Sequence, residues 1–164
     1  INATLSIMVG GSAEAFNRVL PLLQRLGKTI VHIGDSGAGQ VTKCSNQIAL
    51  DVAIQGVAEA LFFAQRNGVD PGKVREVLLG GLAASRALEV CGKKMVERDF
   101  AAGMEARLHH KDIGVVMDIA WHEHLPMPAT AATMQQLNAL MANGWSRDDP
   151  ASLLRVLEQA AQSK

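Results

Sequence analysis

The segment Gly34-Asp35-Ser36-Gly37-Ala38-Gly39-Gln40-Val41-Thr42-Lys43-Cys44-Ser45-Asn46-Gln47 holds the residue types that an acid–base site needs. Its glycines stand just before an expected helix start. There the backbone N–H groups are unspent and the positive end of the helix dipole favours an anionic group such as a carboxylate. Glycine also lets a ligand come close to the backbone. Lys43 lies one turn further in, and Asn46 and Gln47 follow three and four residues beyond it, so the three share a helix face. A lysine beside two amides, behind a glycine-lined anion site, is a proton donor with partners that can orient a substrate. The same spacing also describes a solvated first turn with a surface lysine, and spacing alone leaves both readings open.

The elements that must position these groups change character along the chain. Thr4–Val9 mixes β-branched and apolar residues and stops at Gly10-Gly11, which reads as a short strand. Ser12 offers an N-cap, and Phe16, Val19, Leu20, Leu22, Leu23 and Leu26 recur at helical spacing, with Gly27 expected to end that helix. Thr29–Ile33 reads as a second strand, so the opening spells strand–helix–strand, too little for a stable α/β layer alone. From about Ala38 to Asn67 the pattern is one long helix, closed by Asn67-Gly68. Ala49, Ala53, Gly56, Ala60 and Ala64 form a small-residue stripe on it and Ile54, Val57 and Leu61 a larger one. A helix so apolar on several faces is expected at the centre of a bundle. Further helices are expected at about 71–79, 83–97, 107–122, 127–143 and 150–162, with Asp70-Pro71 and Asp149-Pro150 as starts. The division expected is 1–35 as the end of an α/β domain and 36–164 as an all-helical domain.

Composition narrows the class. The chain has 164 residues, with Lys+Arg and Asp+Glu both 16, hydrophobic residues 48% and aromatic residues 4%. That is too apolar and too balanced for a disordered tail, and it lacks the basic excess of a nucleic-acid binder. Two cysteines support no disulfide framework and fit a reducing cytoplasm. Ile48–Ala64 carries Asp51, Gln55 and Glu59 and is too polar to span a membrane unaided, so no membrane partner is expected.

Other candidates carry less chemistry. Cys44 and Cys91 lack a CxxC partner and read as core or near-core residues. His122-Glu123-His124 puts two rings at i, i+2, which diverge on a helix, so no metal is expected. His109-His110 precedes Lys111 and is a candidate for lining a cleft. Ser85 reads as a helix cap, and Trp121 and Trp145 as packing residues. A Gly-x-Gly-x-x-Gly turn after a strand is absent, since Gly34-x-x-Gly37-x-Gly39 has a different spacing.

Several motifs occur in an order that resembles the β-hydroxyacid dehydrogenase family, which includes 3-hydroxyisobutyrate dehydrogenases and tartronate semialdehyde reductases (2-hydroxy-3-oxopropionate reductases). Thr4–Gly11 looks like the last strands of that family's Rossmann domain, and Gly34-x-x-Gly37-x-Gly39-x-x-x-Lys43-x-x-Asn46 looks like its catalytic motif. Gly68-Val69-Asp70-Pro71, Gly80-Gly81-Leu82-Ala83-Ala84-Ser85 and His110-Lys111-Asp112 follow in the family's order, over essentially the whole chain. The Gly-Leu-Ala-x-Ser and Leu-His-x-Lys-Asp segments lean to the tartronate semialdehyde reductase branch.

The resemblance implies a mainly α chain: an all-α domain of the 6-phosphogluconate-dehydrogenase-like type, preceded by the last strand–helix–strand of a Rossmann domain. It implies an NAD- or NADP-dependent oxidoreductase that interconverts a small β-hydroxycarboxylate and its semialdehyde. Tartronate semialdehyde and glycerate are the first choice of substrate pair, 3-hydroxyisobutyrate the second. Lys43 matches the catalytic lysine, and Asn46 the amide that holds the substrate. Gln47 stands where many members carry a second Asn. Gly37 and Gly39 match glycines that contact the substrate carboxylate. Lys111 matches a lysine at the nicotinamide end of the cofactor, followed by Asp112. Met104 departs from the Phe usual near the nicotinamide, and Ala3 from a common Gly. Residue 1 is Ile, and the expectation is a C-terminal part whose phosphate-binding glycines lie upstream, inactive by itself. A free lysine titrates near pH 10.4, so base action at neutral pH would need desolvation or a cationic neighbour such as Lys111. A homodimer or homotetramer is expected in the cytoplasm. The competing readings are an imine-reductase-like relative, against which Lys43 argues, and a non-catalytic oligomerisation module.

Overall fold

The computed structural model describes residues 3–162. Packing divides the chain into two compact units, one ending at Asn46 and the other beginning at Gln47. The boundary falls inside one helix.

The first unit holds β1 (Leu5–Gly10), α1 (Ala13–Leu23), β2 (Gly27–Gly34) and the opening turns of α2 (Ala38–Arg66). β1 and β2 pair in parallel, with Leu5 opposite Gly27 and Ile7 opposite Ile30, and α1 is the crossover that a parallel pair requires. Ser12 caps α1 as expected, its Oγ accepting the Ala15 N–H at 3.2 Å. Gly27 does not end that helix. The last turn tightens into three-residue bonds, Arg25 N–H to Leu22 and Leu26 N–H to Leu23, and α1 stops at Leu23. Gly27 opens β2 instead, because a Cβ there would stand 2.6 Å from the Leu5 carbonyl oxygen. Strand approach, not a helix cap, demands the glycine. α1 buries none of its residues, and Leu5, Leu22 and Leu26 stay exposed.

The second unit is all-helical. It contains α2 from Gln47 onward, α3 (Pro71–Leu79), α4 (Arg86–Glu97), α5 (Ala106–His122), α6 (Pro128–Ala142), a 3₁₀ turn at Pro150–Ser152 and α7 (Leu153–Gln162). Its starts are chemically specified. Asp70 accepts the Gly72 N–H at 2.7 Å, Ser85 the Leu88 N–H at 3.1 Å and Asp149 the Ala151 N–H at 3.1 Å. Pro71, Pro128 and Pro150 occupy first helical positions, where no N–H is missed. α2 closes at Gly68, whose φ of +73° only glycine adopts freely. The core gathers Ile54 and Leu61 from α2, Leu88 and Met95 from α4, Ile113 from α5, Leu137 and Leu140 from α6 and Leu153 from α7.

α2 differs from its expected all-round burial. Among the described residues it is the one helix whose length and hydropathy would suit a membrane span. Its buried side nevertheless includes Gln47, Asp51 and Gln55, while Ala49, Gly56 and Phe63 are exposed. The i, i+4 spacing of the polar groups puts them on one stripe facing protein. Trp121 also departs from its expected packing role. It lies on the outer side of α5 and is 80% exposed, whereas Trp145 packs against the core with the Arg155 guanidinium 3.8 Å above its ring.

Candidate active site

In the first unit the glycines before α2 have separate structural reasons. Gly37 has φ +95°, a conformation that strains any residue with a Cβ, and its Cα faces open space. Its carbonyl accepts the N–H groups of Gln40 and Val41 at 3.0 and 3.1 Å, which starts the helix. Gly39 is required by space: a Cβ there would lie 2.7 Å from the Met8 carbonyl oxygen. Gly10 faces the same crossing, its imagined Cβ 2.7 Å from the Asp35 carbonyl oxygen. The glycines therefore seat the start of α2 directly against β1.

This seating presents Lys43 and Asn46. Lys43 is half-buried and Asn46 exposed, one turn apart on α2. The hydroxyls beside them are spent on the helix itself. Thr42 donates to the Ala38 carbonyl at 2.9 Å and Ser45 to the Val41 carbonyl at 3.0 Å. Cys44 is a half-buried free thiol on the same turn.

In the second unit the sequence-predicted residues Gln47, Lys111 and Asp112 come together. Gln47 is buried, and its Nε2 donates to Asp112 Oδ2 at 3.0 Å. Asp112 Oδ1 holds the Lys111 ammonium at 2.8 Å, and Lys111 itself is 68% exposed. Gln47 thus orients the carboxylate that holds an accessible cation. One turn back on α5, His109 Nδ1 meets Asp51 Oδ1 at 2.5 Å, both side chains buried. Neighbouring His110 bonds through Nε2 to Asn138 Oδ1 at 2.8 Å.

Met104 is 49% exposed and sits in the loop between α4 and α5. Buried Asp149, which sequence reasoning read as a helix start alone, organises that loop. Its Oδ2 accepts the Gly103 N–H at 3.1 Å and the Lys94 ammonium at 3.2 Å. Backbone bonds from Asp149 N–H to Phe100 and from Ala106 N–H to Asp148 tie down both ends. Cys91, behind this cluster, is buried. Burial, reinforced by the Asp149 charge, pushes its thiol up to about 11. At the end of α5, His124 takes a left-handed φ of +55°, and the Leu125 N–H closes onto the Ala120 carbonyl at 2.8 Å. His124 thus fills the position usually given to glycine at a helix end.

Comparison with known proteins shows the family. A family model described as "NAD-binding of NADP-dependent 3-hydroxyisobutyrate dehydrogenase" matches residues 37–157. The chain belongs to that family. A second model, "NAD binding domain of 6-phosphogluconate dehydrogenase", matches residues 1–34. The chain is 44% identical over 161 residues to the 2-hydroxy-3-oxopropionate reductase of Escherichia coli, covering 98% of this chain and 55% of that protein. It is 34% identical over 157 residues to the 2-(hydroxymethyl)glutarate dehydrogenase of Eubacterium barkeri, covering 95% and 52%. Among solved structures, a 3-hydroxyisobutyrate dehydrogenase from Salmonella typhimurium superimposes with TM-score 0.89 at 24% identity, over 94% of this chain and 54% of that one. This last likeness shows the fold. The chain spans about half the length of the curated relatives it matches. Family membership makes NAD or NADP the cofactor class.

Proposed function

We propose that the full-length protein is an NAD(P)-dependent oxidoreductase that interconverts a small β-hydroxycarboxylate and its semialdehyde, tartronate semialdehyde and glycerate first and 3-hydroxyisobutyrate second. The observation that carries this is Lys43 with Asn46 one turn on, at the glycine-seated start of α2, in a chain of this family. The printed name of the Escherichia coli relative supports the first substrate choice.

The dinucleotide, when bound, supplies or takes up the hydride. The residues present suit contact with one end of it: Lys111 is an accessible cation steadied by Asp112, and Met104 is a half-exposed apolar side chain. In this reading they would contact the nicotinamide end. On reduction, negative charge develops on the substrate oxygen; the Lys43 ammonium lowers that cost and then donates its proton, and in oxidation it takes the proton back. Asn46 holds the substrate by its amide. Gly37, with open space where a side chain would stand, is the contact assigned to the substrate carboxylate in this reading, together with Gly39. Gln47 acts through Asp112. The division of labour is that of residues 1–35 and 36–164, a dinucleotide-binding end and a helical catalytic part. Two free thiols suit a reducing cytoplasm, and the small-residue stripe of α2 suits a homodimer or homotetramer.

The test is Lys43→Met in the full-length protein. Turnover of tartronate semialdehyde is expected to fall about 10²–10⁴-fold, with the dissociation constant for NADH or NADPH, whichever the enzyme takes, essentially unchanged. Retained turnover sinks the assignment. A larger kcat/KM for 3-hydroxyisobutyrate than for tartronate semialdehyde reverses the substrate order.

A further inference from the structure

Two polar rungs join α2 to α5 inside the second unit. Gln47 meets Asp112 at 3.0 Å, and Asp51 meets His109 at 2.5 Å. The pairs advance on one helix as they retreat on the other, so the helices run antiparallel. The outer rung ends in an exposed lysine; the inner rung is sealed, with Asp51 0% exposed.

The inner rung is a costly way to fill a core. Asp51 Oδ2 is buried with no hydrogen-bond partner among the described residues, as is Oε1 of Gln55 one turn on. An apolar pair of similar volume in such a place is often neutral or stabilising. What the polar pair adds is direction. The bond is made at one ring nitrogen, His109 Nδ1, and so fixes the ring's orientation. His109 and Asp112 lie three residues apart on one face of α5, while Lys111 lies two beyond His109, on the far side. Each residue step turns an α-helix by about 100°. The rotation that seats His109 on Asp51 is therefore the rotation that brings Asp112 to Gln47 and turns Lys111 outward.

We propose that Asp51 and His109 are positioning residues for Lys111: their buried hydrogen bond sets the rotation of α5 about its own axis and so presents the Lys111 ammonium to the nicotinamide end of the dinucleotide. This rests on the cofactor role given above to Lys111. Packing alone is non-directional and leaves that rotation less defined.

The experiment uses the full-length protein and reads dinucleotide affinity by NADH or NADPH fluorescence, with thermal melting alongside. The Asp51→Leu/His109→Leu double variant is expected to melt no lower than wild type and to bind the dinucleotide about threefold more weakly, within the range for coupled neighbours. In a Lys111→Gln background the same double substitution is expected to cost nothing further. Asp51→Asn, whose amide oxygen still accepts from His109, is expected to keep wild-type affinity. If the Leu pair does not fold, His109→Gln carries the test, with the same loss and the same cancellation without Lys111. A folded double variant that binds as wild type, or a loss that persists without Lys111, overturns the proposal. Lys111→Gln alone binding as wild type removes the cofactor role on which it rests. Turnover surviving Lys43→Met removes only the catalytic assignment, because affinity and not turnover is read here.

Discussion

At the scale of single residues, environment separates groups that look alike in the sequence. Cys44 and Cys91 are both lone thiols on helices, yet Cys44 is half-buried and Cys91 is buried with its thiol held near 11. The thiolate is the reactive form. Iodoacetamide at pH 8 is expected to label Cys44 readily and Cys91 only on unfolding, which peptide mass mapping checks. The same shift has a pH consequence. Up to pH 9 the Cys91 thiol is protonated in both states; between 9 and about 11 the unfolded chain ionises and the folded one does not. Stability is therefore lost as pH rises through that window, by at most about 1.4 kcal/mol per unit. Urea melts at pH 8 and pH 10.5 are expected to show a smaller drop for Cys91→Ala than for wild type. Burial of this kind is hard to read from sequence. Lys43, Asn46, Lys111 and Asp112 stand in local motifs that can be read directly along the chain. Asp51 was read only as a polar interruption of an apolar helix, since its partner His109 lies far away in the chain.

At the scale of elements, turn chemistry was the most legible part, because caps act within three residues. Ser12, Asp70, Ser85 and Asp149 each cap the helix expected of them. What failed was glycine's purpose at Gly27, where a partner strand and not the local chain sets the requirement. Gly39 makes the same point testably. A methyl there meets the Met8 carbonyl oxygen at 2.7 Å, and backbone on both sides cannot step aside. Gly39→Ala is expected to destabilise the first unit by about 1–3 kcal/mol, as overpacking does, seen as early loss of amide protection in β1. Gly56→Ala, with open space around it on an exposed helix face, is expected to be neutral or to stabilise by up to about 1 kcal/mol. Asp149 links two elements that sequence treats as unrelated. Its three accepted bonds serve Ala151, Gly103 and Lys94. Asp149→Asn has one acceptor oxygen in place of two and no charge for Lys94. It is expected to cost about 1–3 kcal/mol in urea melts and to release protection of the Gly103 amide.

At the scale of the whole chain, the second unit carries the buried apolar core, while α1 of the first buries none of its residues. The helical architecture was legible because long amphipathic repeats and Pro-marked starts declare it. Which side of α2 faces protein was not, since its polar stripe inverts the usual reading of burial. The same residues bound what the 164-residue chain can do with a dinucleotide by itself. Micromolar affinity requires about 8 kcal/mol. Lys111 is largely exposed and already paired with Asp112, and such a surface cation is worth about 0–1 kcal/mol. Met104 is half-exposed and can add the burial of one side chain, about 1.5–3 kcal/mol. The sequence holds no Gly-x-Gly-x-x-Gly turn to take the pyrophosphate. These contributions fall well short even before the entropy of association is counted. Isothermal titration of NADH into this chain at 25 °C is therefore expected to show no binding at micromolar concentrations. Micromolar binding would mean that the chain carries a phosphate site outside the residues assigned above.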